Sequence, residues 1–406
     1  MQVRNLSILV VCQLISTSGQ LVMVMLGGII GSAMATNKAF ATLPYSMMVI
    51  AIAAATIPAT ILMKKIGRRK GFALSSISAA IALVLAMYAL KESSFPLFNV
   101  ALMIFGINMA FTQQYRYAAA ESVESRYVPR AISLVLVGSI GAAFVGKEVV
   151  TYGQYLIADI QYAGVMMLLS MMFVIQAVLF FAMEPVKDHI DPSDNQSERP
   201  ISLIIRQPVY ITAVMGAMAG VGLMTLVMTA TPLSMHVNNG YSLEQTANII
   251  QVHVLGMYVP SLFAGFLIEK FGVLRIMFIG LIGLLATSII GLQGHTMMHY
   301  WWALLLLGIG WNFLFVGGTT MLTYTYTMTE RFRAQAVNEF LVFGMSASAS
   351  LLAGTVMYFF GWAKLMLIPI PILIFISIAL IKVRRDPLLN RQHHTNDSKL
   401  ETPNTP

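Results

Sequence analysis

Long apolar segments recur along the whole chain, and they constrain its fold more than any other feature. Each is about 20 residues or longer, the length that an α-helix needs to cross the hydrocarbon layer of a bilayer. Because a bilayer offers the backbone no hydrogen-bond partner, these segments are expected to be helical. The twelve candidate spans are 6–31, 40–63, 72–90, 96–118, 131–157, 162–183, 208–235, 243–268, 273–293, 299–325, 334–360 and 362–382.

The composition is typical of a chain that crosses a membrane many times. Hydrophobic residues make up 57% of the 406 residues, and charged residues make up 10%. A soluble protein could not bury that much apolar surface, so a polytopic membrane protein is predicted. The first run is long and contains Gln13 and Gln20, which favours a first span. A signal peptide is the alternative, since MQVRN and the SAMA stretch at 32–35 loosely resemble its two ends.

Positive charges are distributed unevenly between the loops. If the N-terminus lies in the cytoplasm, twenty of the 25 Lys and Arg residues fall in cytoplasmic loops, the central linker or the termini. Cytoplasmic loops are enriched in these residues, so both termini are predicted to be cytoplasmic. The same distribution explains the net charge of +8 without nucleic acid as a partner. The exceptions are Lys38, Lys91, Lys364, Arg116 and Lys147.

Similar residues recur in pairs at a nearly constant separation of 203 to 205 positions. This offset indicates a duplicated unit of six spans. Both copies start on the same side of the membrane, so they are parallel repeats. The pairs are Gly67 and Gly272, Asn108 and Asn312, and Arg130 and Arg333.

The duplication divides the chain into two six-helix bundles, predicted at 1–183 and 208–385. The polar, Pro-containing stretch 184–207 between them is interpreted as a cytoplasmic linker. Residues 386–406 are predicted to form a disordered cytoplasmic tail. The predicted fold is therefore an all-α integral membrane protein with twelve transmembrane helices in two parallel six-helix repeats.

The loop after the second span of each half is basic. It reads KKIGRRKG at 64–71 and EKFGVLR at 269–275. Both loops resemble the G-x-x-x-D-R-x-G-R-R motif of the major facilitator superfamily, and the resemblance covers residues 6–382. It implies the fold of that family and a secondary transporter in the cytoplasmic (inner) membrane of a bacterium. The first copy departs from the motif at Thr60 and Lys64, where Gly and an acid are usual.

The resemblance also implies that these loops gate the cytoplasmic mouth of the transporter. In the family, the acid pairs with basic residues and helix ends to latch one conformation. Lys64 cannot do this, so Glu269 is expected to carry the role alone. The implied gating residues are Gly67, Arg68, Arg69, Gly265, Glu269, Gly272 and Arg275.

Further stretches resemble a bacterial branch of the superfamily, among them QQYRYAAAES at 113–122 and GWNFLFVGGTT at 310–320. The fifth span, GSIGAAFVGKE, resembles a Gly-rich motif of exporters. Gly146 of that motif is followed by Lys147, where Pro is usual. This departure favours uptake, while efflux of drugs or metabolites by antiport stays open as the alternative.

Polar residues in the spans that line the family's central cavity are the candidates for solute binding. An ionisable group inside a bilayer costs about 2.5–3.5 kcal/mol on insertion scales, so Arg116 is a candidate for binding an anionic or carbonyl group. The alternative is that Arg116 snorkels to the cytoplasmic surface. The other polar residues could instead hold helices together. The predicted solute-binding residues are Arg116, Gln113, Asn108, Gln20, Thr229, Trp311 and Asn312.

Two titratable residues are candidates for carrying a coupling proton. His253 lies in the middle of the eighth span, and histidine titrates near neutral pH. Its alternative role is that of a hydrogen-bonded packing residue. Glu148 follows Lys147 in the fifth span, and successive residues on a helix do not face each other. Each could therefore have another partner. Glu148 is the second candidate for proton coupling, and a structural ion pair is its alternative role.

The sequence contains no signature of an enzyme, since it has no P-loop, no His and Cys cluster and no plausible Ser-His-Asp set. Neither a cofactor nor a metal is predicted. The expected partners are a small organic solute that is neutral, amphipathic or weakly anionic, a coupling proton and the lipid bilayer, and the chain is expected to be monomeric. A lipid-handling membrane protein and a non-transporting sensor stay open as other classes.

Charge reversal at Glu269 should slow transport more than charge reversal at Lys64, because only the second loop keeps the acid of the motif. The measurement is the initial rate of solute uptake for Glu269→Lys and Lys64→Glu at matched membrane insertion. Equal and negligible effects of the two substitutions would contradict the assignment of the latch to Glu269.

Overall fold

The computed structural model describes residues 3–123, 128–184, 199–327 and 329–389, and within these ranges the chain is built from α-helices joined by short turns. Most of the predicted linker and of the predicted tail lies outside the described residues. The helices are α1 Val3–Met34, α2 Leu43–Ile66, α3 Arg68–Lys91, α4 Phe95–Thr112, α5 Tyr115–Glu121, α6 Val128–Gly153, α7 Ala163–Ala182, α8 Ile201–Ile205, α9 Pro208–Pro232, α10 Leu243–Tyr258, α11 Ser261–Phe271, α12 Val273–Gln293, α13 Met297–Thr323, α14 Arg331–Leu367 and α15 Pro369–Val383.

Eleven helical segments of the described chain are long and apolar enough to cross a membrane. The last of them, Arg333–Val383, has 51 residues. At 1.5 Å per residue it would measure about 76 Å, far more than a hydrocarbon core of about 30 Å. Its helical path breaks at Gly361, where φ is 72°. The segment therefore contains the eleventh and twelfth predicted spans, and the twelve-span all-α fold is confirmed.

Two spans that the sequence presents as continuous are interrupted in the structure. The fourth span breaks at Gln113 and Gln114, between α4 and α5. The eighth breaks at Val259 and Pro260, between α10 and α11. Proline has no N–H to continue the helical ladder, which explains the second break. Arg116 follows the first break, and Tyr258 precedes the second.

The two halves repeat the same backbone features. Gly67 joins α2 to α3 with φ of 84° and ψ of 153°, and Gly272 joins α11 to α12 with φ of 83° and ψ of 148°. Other residue types rarely adopt this conformation, so glycine is required in both loops. A Cβ atom on Gly106 would collide with the Met48 carbonyl, and one on Gly308 would collide with the His253 carbonyl. The chain therefore contains two copies of one six-helix unit.

A buried ion pair fastens the end of the linker to the second half. Glu330, which is 2% exposed, lies between α13 and α14. Its carboxylate accepts hydrogen bonds from Arg199 Nε and Nη2, both at 2.7 Å, and from the backbone N–H of Thr327 at 2.9 Å. The pKa of Glu330 is held well below its usual range, mainly by the hydrogen bonds from the Arg199 guanidinium. This pair fixes the chain just before α8.

Replacing Glu330 with Gln should lower the melting temperature at neutral pH, because Gln cannot offer Arg199 a charged acceptor. Hydrogen bonds to charged groups contribute about 1.5–3 kcal/mol each, and the half-exposed Arg199 reduces that value here. The depressed pKa means that the contribution is present above about pH 4.3 and is lost as the pH falls further. Thermal unfolding of both proteins in detergent from pH 7 to pH 3 should show their difference shrinking. A constant difference would contradict this assignment.

Candidate solute-binding site

The two bundles are held together on the membrane side opposite the chain termini. Thr42 Oγ1, at the start of α2, donates to the Ser350 carbonyl of α14 at 2.8 Å and accepts from the Gly354 N–H at 3.2 Å. Ser350 Oγ donates to Ser46 Oγ at 2.7 Å. All four residues are uncharged, and their side chains are buried where they have one. We call this set, Thr42, Ser46, Ser350 and Gly354, the hydroxyl gate.

A face of α13 within the second bundle carries an aromatic pair. Trp311 and Phe315 lie one helical turn apart, and their rings are parallel, with an interplanar angle of 8° and centroids 5.2 Å apart. Tyr258, at the end of α10, meets Trp311 edge-on at 73° and 6.4 Å. Trp311 Nε1 is buried and has no hydrogen-bond partner among the described residues. We call these three side chains the aromatic cluster.

The aromatic cluster is connected to the first bundle by polar side chains. The Tyr258 hydroxyl interacts with Ser139 of α6. Ser139 Oγ accepts a hydrogen bond from Gln13 Nε2 of α1 at 3.0 Å, and Gln13 also donates to Thr17 Oγ1 at 3.0 Å. Side chains from both bundles therefore meet at Tyr258.

Arg116 lies at the start of α5, immediately after the break in the fourth span. Its guanidinium lies over the Tyr117 ring at 4.9 Å, and its Nε is buried without a hydrogen-bond partner in the described part of the chain. Glu339 of α14, in the other bundle, is within electrostatic range. Arg116 therefore keeps hydrogen-bond donors available for an acceptor, and Gln113 at the same break is partly exposed.

Asn108 and Asn312 lie away from the aromatic cluster's exposed ring surfaces and hold helices together in this structure. Both side chains are fully buried within their own bundles. Asn108 Nδ2 donates to Ser75 Oγ of α3 at 3.1 Å, and Asn312 Nδ2 donates to the Met257 carbonyl of α10 at 2.8 Å and also to Ser261 Oγ. Unpaired amides are costly in an apolar interior, so these contacts connect neighbouring helices. In this conformation neither side chain is accessible to a solute.

The remaining solute-binding candidates lie in different surroundings. Thr229 of α9 is 1% exposed, and its Oγ1 has no partner among the described residues. Gln20 of α1 is partly exposed. The structure therefore does not gather the seven predicted residues into one cluster.

The two candidates for proton coupling also differ in their surroundings. His253 is fully buried, with Nδ1 2.9 Å from the Leu304 carbonyl and Nε2 without a partner in the described ranges. Glu148 Oε1 lies 3.8 Å from Lys147 Nζ. Successive residues on a helix were not expected to face each other, yet these two side chains form an ion pair.

The predicted gating residues lie near the opposite membrane side. Arg69 donates to the Phe181 carbonyl near the C-terminus of α7, where a cation complements the helix dipole. Glu269 and Arg275 are exposed, and no ion pair of Glu269 occurs among the described residues. Arg68 has contacts of its own, and nothing lies within 4 Å of a Cβ atom placed on Gly265. The expected Glu269 latch is therefore not engaged in this conformation.

Several residues of the site were not predicted from the sequence. Tyr258, Phe315 and the hydroxyl gate were missed. The i, i+4 spacing of Trp311 and Phe315 was an available signal for the aromatic pair. Isolated Ser and Thr residues in an apolar helix carry no signal that distinguishes a gate from ordinary packing.

Comparisons with known proteins are consistent with this architecture. The family model of the Major Facilitator Superfamily matches residues 6–247 and 215–402. The chain belongs to this superfamily, whose characterised members below are transporters of small solutes. It is a multi-pass membrane protein.

Two relatives cover most of the chain. The riboflavin transporter RfnT of Brucella anthropi is 35% identical over 379 residues, which cover 93% of this chain and 95% of the relative. The uncharacterized MFS-type transporter YddS of Bacillus subtilis is 25% identical, over 87% of this chain and 84% of the relative.

Two solved structures share the fold at 13% identity. A variant of the nucleoside transporter NupG has a TM-score of 0.75, covering 94% of this chain and 100% of its own. A bacterial homologue of the human lysosomal transporter Spinster, in an inward-facing and unoccupied conformation, has a TM-score of 0.69, covering 94% and 98%. At this identity the similarity shows the fold alone.

Substitutions in the hydroxyl gate should open the bundles on the side opposite the termini. Thr42→Val removes two hydrogen bonds of about 1 kcal/mol each, which corresponds to a shift of up to about thirtyfold in the equilibrium. Gly354→Val should act more strongly, because a Cβ atom there would lie 2.6 Å from Thr42 Oγ1. The measurement is the distance between spin labels at Thr36→Cys and Tyr358→Cys, after replacement of the single cysteine, Cys12, by Ala.

Ser348→Ala is the matched control, because Ser348 lies on the same helix and donates to the Gly344 carbonyl of that helix. The label distance should lengthen in the two gate variants and stay unchanged in the control. An unchanged distance in both gate variants would show that the hydroxyl gate does not hold the bundles together.

Proposed function

We propose that this protein is a secondary transporter that takes up riboflavin, or a flavin-like solute with a flat heteroaromatic ring and a polyol chain. The observation that carries the proposal is the 35% identity to a riboflavin transporter over 93% of this chain and 95% of that relative. Near-complete coverage means that the similarity includes both bundles and the space between them.

The chemistry of the candidate site supports a solute of this kind. The aromatic cluster offers ring faces and edges for stacking. Trp311 Nε1 and Arg116 Nε are unused donors that could bind carbonyl or hydroxyl oxygens. Gln13 and Ser139 supply further polar atoms beside Tyr258. Riboflavin combines a three-ring system bearing carbonyls with a chain of hydroxyls, and therefore needs both types of contact.

The proposed cycle is alternating access of the two bundles, 1–183 and 208–385, about a central site. The distribution of Lys and Arg supports cytoplasmic termini in the inner membrane of a bacterium. With that orientation, the hydroxyl gate closes the outer side, and the unpaired Glu269 belongs to an open cytoplasmic mouth. A solute would then be released to the inside in this conformation. We assign the active unit to the monomer.

Coupling to protons is the energy source that we propose. His253 and Glu148 remain the candidate proton sites. In support, His253 Nε2 is buried without a partner among the described residues, and the half-exposed Glu148 carboxylate lies beside Lys147. Glu148 belongs to α6 and His253 to α10, and these two helices pack against each other across the bundles.

Expression of the protein should support growth on micromolar riboflavin of a bacterial host that neither makes nor imports this vitamin. In proteoliposomes, labelled riboflavin should accumulate faster when the outside is more acidic, and an ionophore that abolishes the pH gradient should remove the acceleration. The Gly354→Val gate variant is the matched control, because a change in the rate of riboflavin flux in this variant would show that the flux passes through this protein. Absence of riboflavin flux in either direction with folded protein would overturn the proposal, whereas flux driven only outward would favour the efflux alternative.

A further inference from the structure

The aromatic cluster packs against buried side chains of the second bundle. Trp311 and Phe315 pack against the buried side chains of Ala217 and Val221 on α9 and Val342 on α14. Both rings are nevertheless partly exposed, whereas the neighbouring Asn312 and Leu314 on the same helix are buried. These two rings are therefore supported from below by the bundle while part of their surface stays accessible to a solute.

The orientation of the rings leaves a place for a further planar group. Trp311 and Phe315 are already parallel, so a third ring can extend the same stack. Tyr258 stands nearly perpendicular to Trp311 and presents its edge, which closes one side of that space. Offset-stacked and edge-to-face arrangements are the two favourable geometries for aromatic rings.

Trp311 also has an unused hydrogen-bond donor. Its Nε1 is buried without a partner in the described part of the chain. Leaving such a donor unpaired in a low-dielectric interior is unfavourable, and buried indole N–H groups usually find an acceptor. A ring with oxygen or nitrogen acceptors at its edge would supply this acceptor and also stack on the indole, whereas an aliphatic solute could not stack.

We propose that Trp311 and Tyr258 form the subsite for the flat ring of the solute, with Trp311 contributing both its ring face and the Nε1 donor. This inference rests on the proposed function and deepens it by assigning ring recognition to the second bundle. Tyr258 also interacts with Ser139 of the first bundle. A ring bound at this subsite would therefore lie beside residues of both bundles.

The test measures binding of three probes to purified wild-type protein and variants: riboflavin, lumichrome, which is the ring system without the polyol chain, and ribitol, which resembles the chain alone. Trp311→Phe keeps a ring but removes the donor, and Trp311→Leu removes both. Trp302→Leu is the matched control, since Trp302 is on the same helix but half-exposed and paired with Trp301.

Riboflavin and lumichrome should both bind, with ribitol much weaker. Trp311→Leu should weaken the binding of both ring compounds at least about tenfold, as expected for loss of one stacking contact. Trp311→Phe should give an intermediate loss, and Trp302→Leu should bind as the wild type does. Unchanged riboflavin affinity in Trp311→Leu, or ribitol binding as tightly as lumichrome, would overturn the subsite while leaving riboflavin transport intact.

Failure of riboflavin to bind the folded wild-type protein would instead reject the proposed function. In that case nucleosides and pterins serve as the probes for the subsite. Binding of any of these planar compounds that is lost in Trp311→Leu would support the subsite, and failure of all of them to bind would reject it as well. The conservative Trp311→Phe variant keeps the test decisive if Trp311→Leu does not fold.

Discussion

The rest of this structure depends on one constraint, which is that the bilayer interior offers polar groups no hydrogen-bond partner. It forces the backbone into helices, because no lipid atom can replace a lost backbone partner. It also makes each polar side chain within a span seek a partner. The amide N–H donors of Asn108 and Asn312 satisfy this demand with Ser75 and with the backbone of α10, although their Oδ1 atoms have no partner among the described residues. Against that background, a buried donor such as Trp311 Nε1 is informative because it has no such partner among the described residues.

The two copies of the duplicated unit share the residues that set helix packing but not the residues proposed to bind the ring of the solute. Gly67 and Gly272 have the same backbone conformation, and close helix contacts at Gly106 recur at Gly308. The separation of 204 that relates Asn108 to Asn312 pairs Trp311 with Ile107, so the indole has no counterpart in the first half. Positions that set helix packing are therefore shared, whereas the indole proposed to recognise the flat ring of the solute belongs to the second bundle alone.

This difference explains how much could be predicted from the sequence. Apolar length and the glycine pairs determine spans and repeats locally, and both were recognised. The identity of an amide does not reveal the direction in which it points, so Asn108 and Asn312 were assigned to the solute although their bundles bury them. The break at Pro260 had a visible cause. The hydroxyl gate had no signal in the sequence, because Thr42 and Ser350 are 308 positions apart and meet only when the two bundles assemble.

The uncharged chemistry of the hydroxyl gate suits a contact that must form and separate repeatedly. A fully buried ion pair would lose several kcal/mol when one partner is left unpaired, and the charged pair that this chain does contain, Glu330 and the half-exposed Arg199, fixes the end of the linker instead. Each neutral hydrogen bond contributes about 1 kcal/mol, so a few of them can be opposed by the differential binding energy of a solute. Water on the opened side would replace the lost partners of Thr42 and Ser350. Under the proposed cycle, the gate is therefore strong enough to hold the bundles together and weak enough for solute binding to reverse.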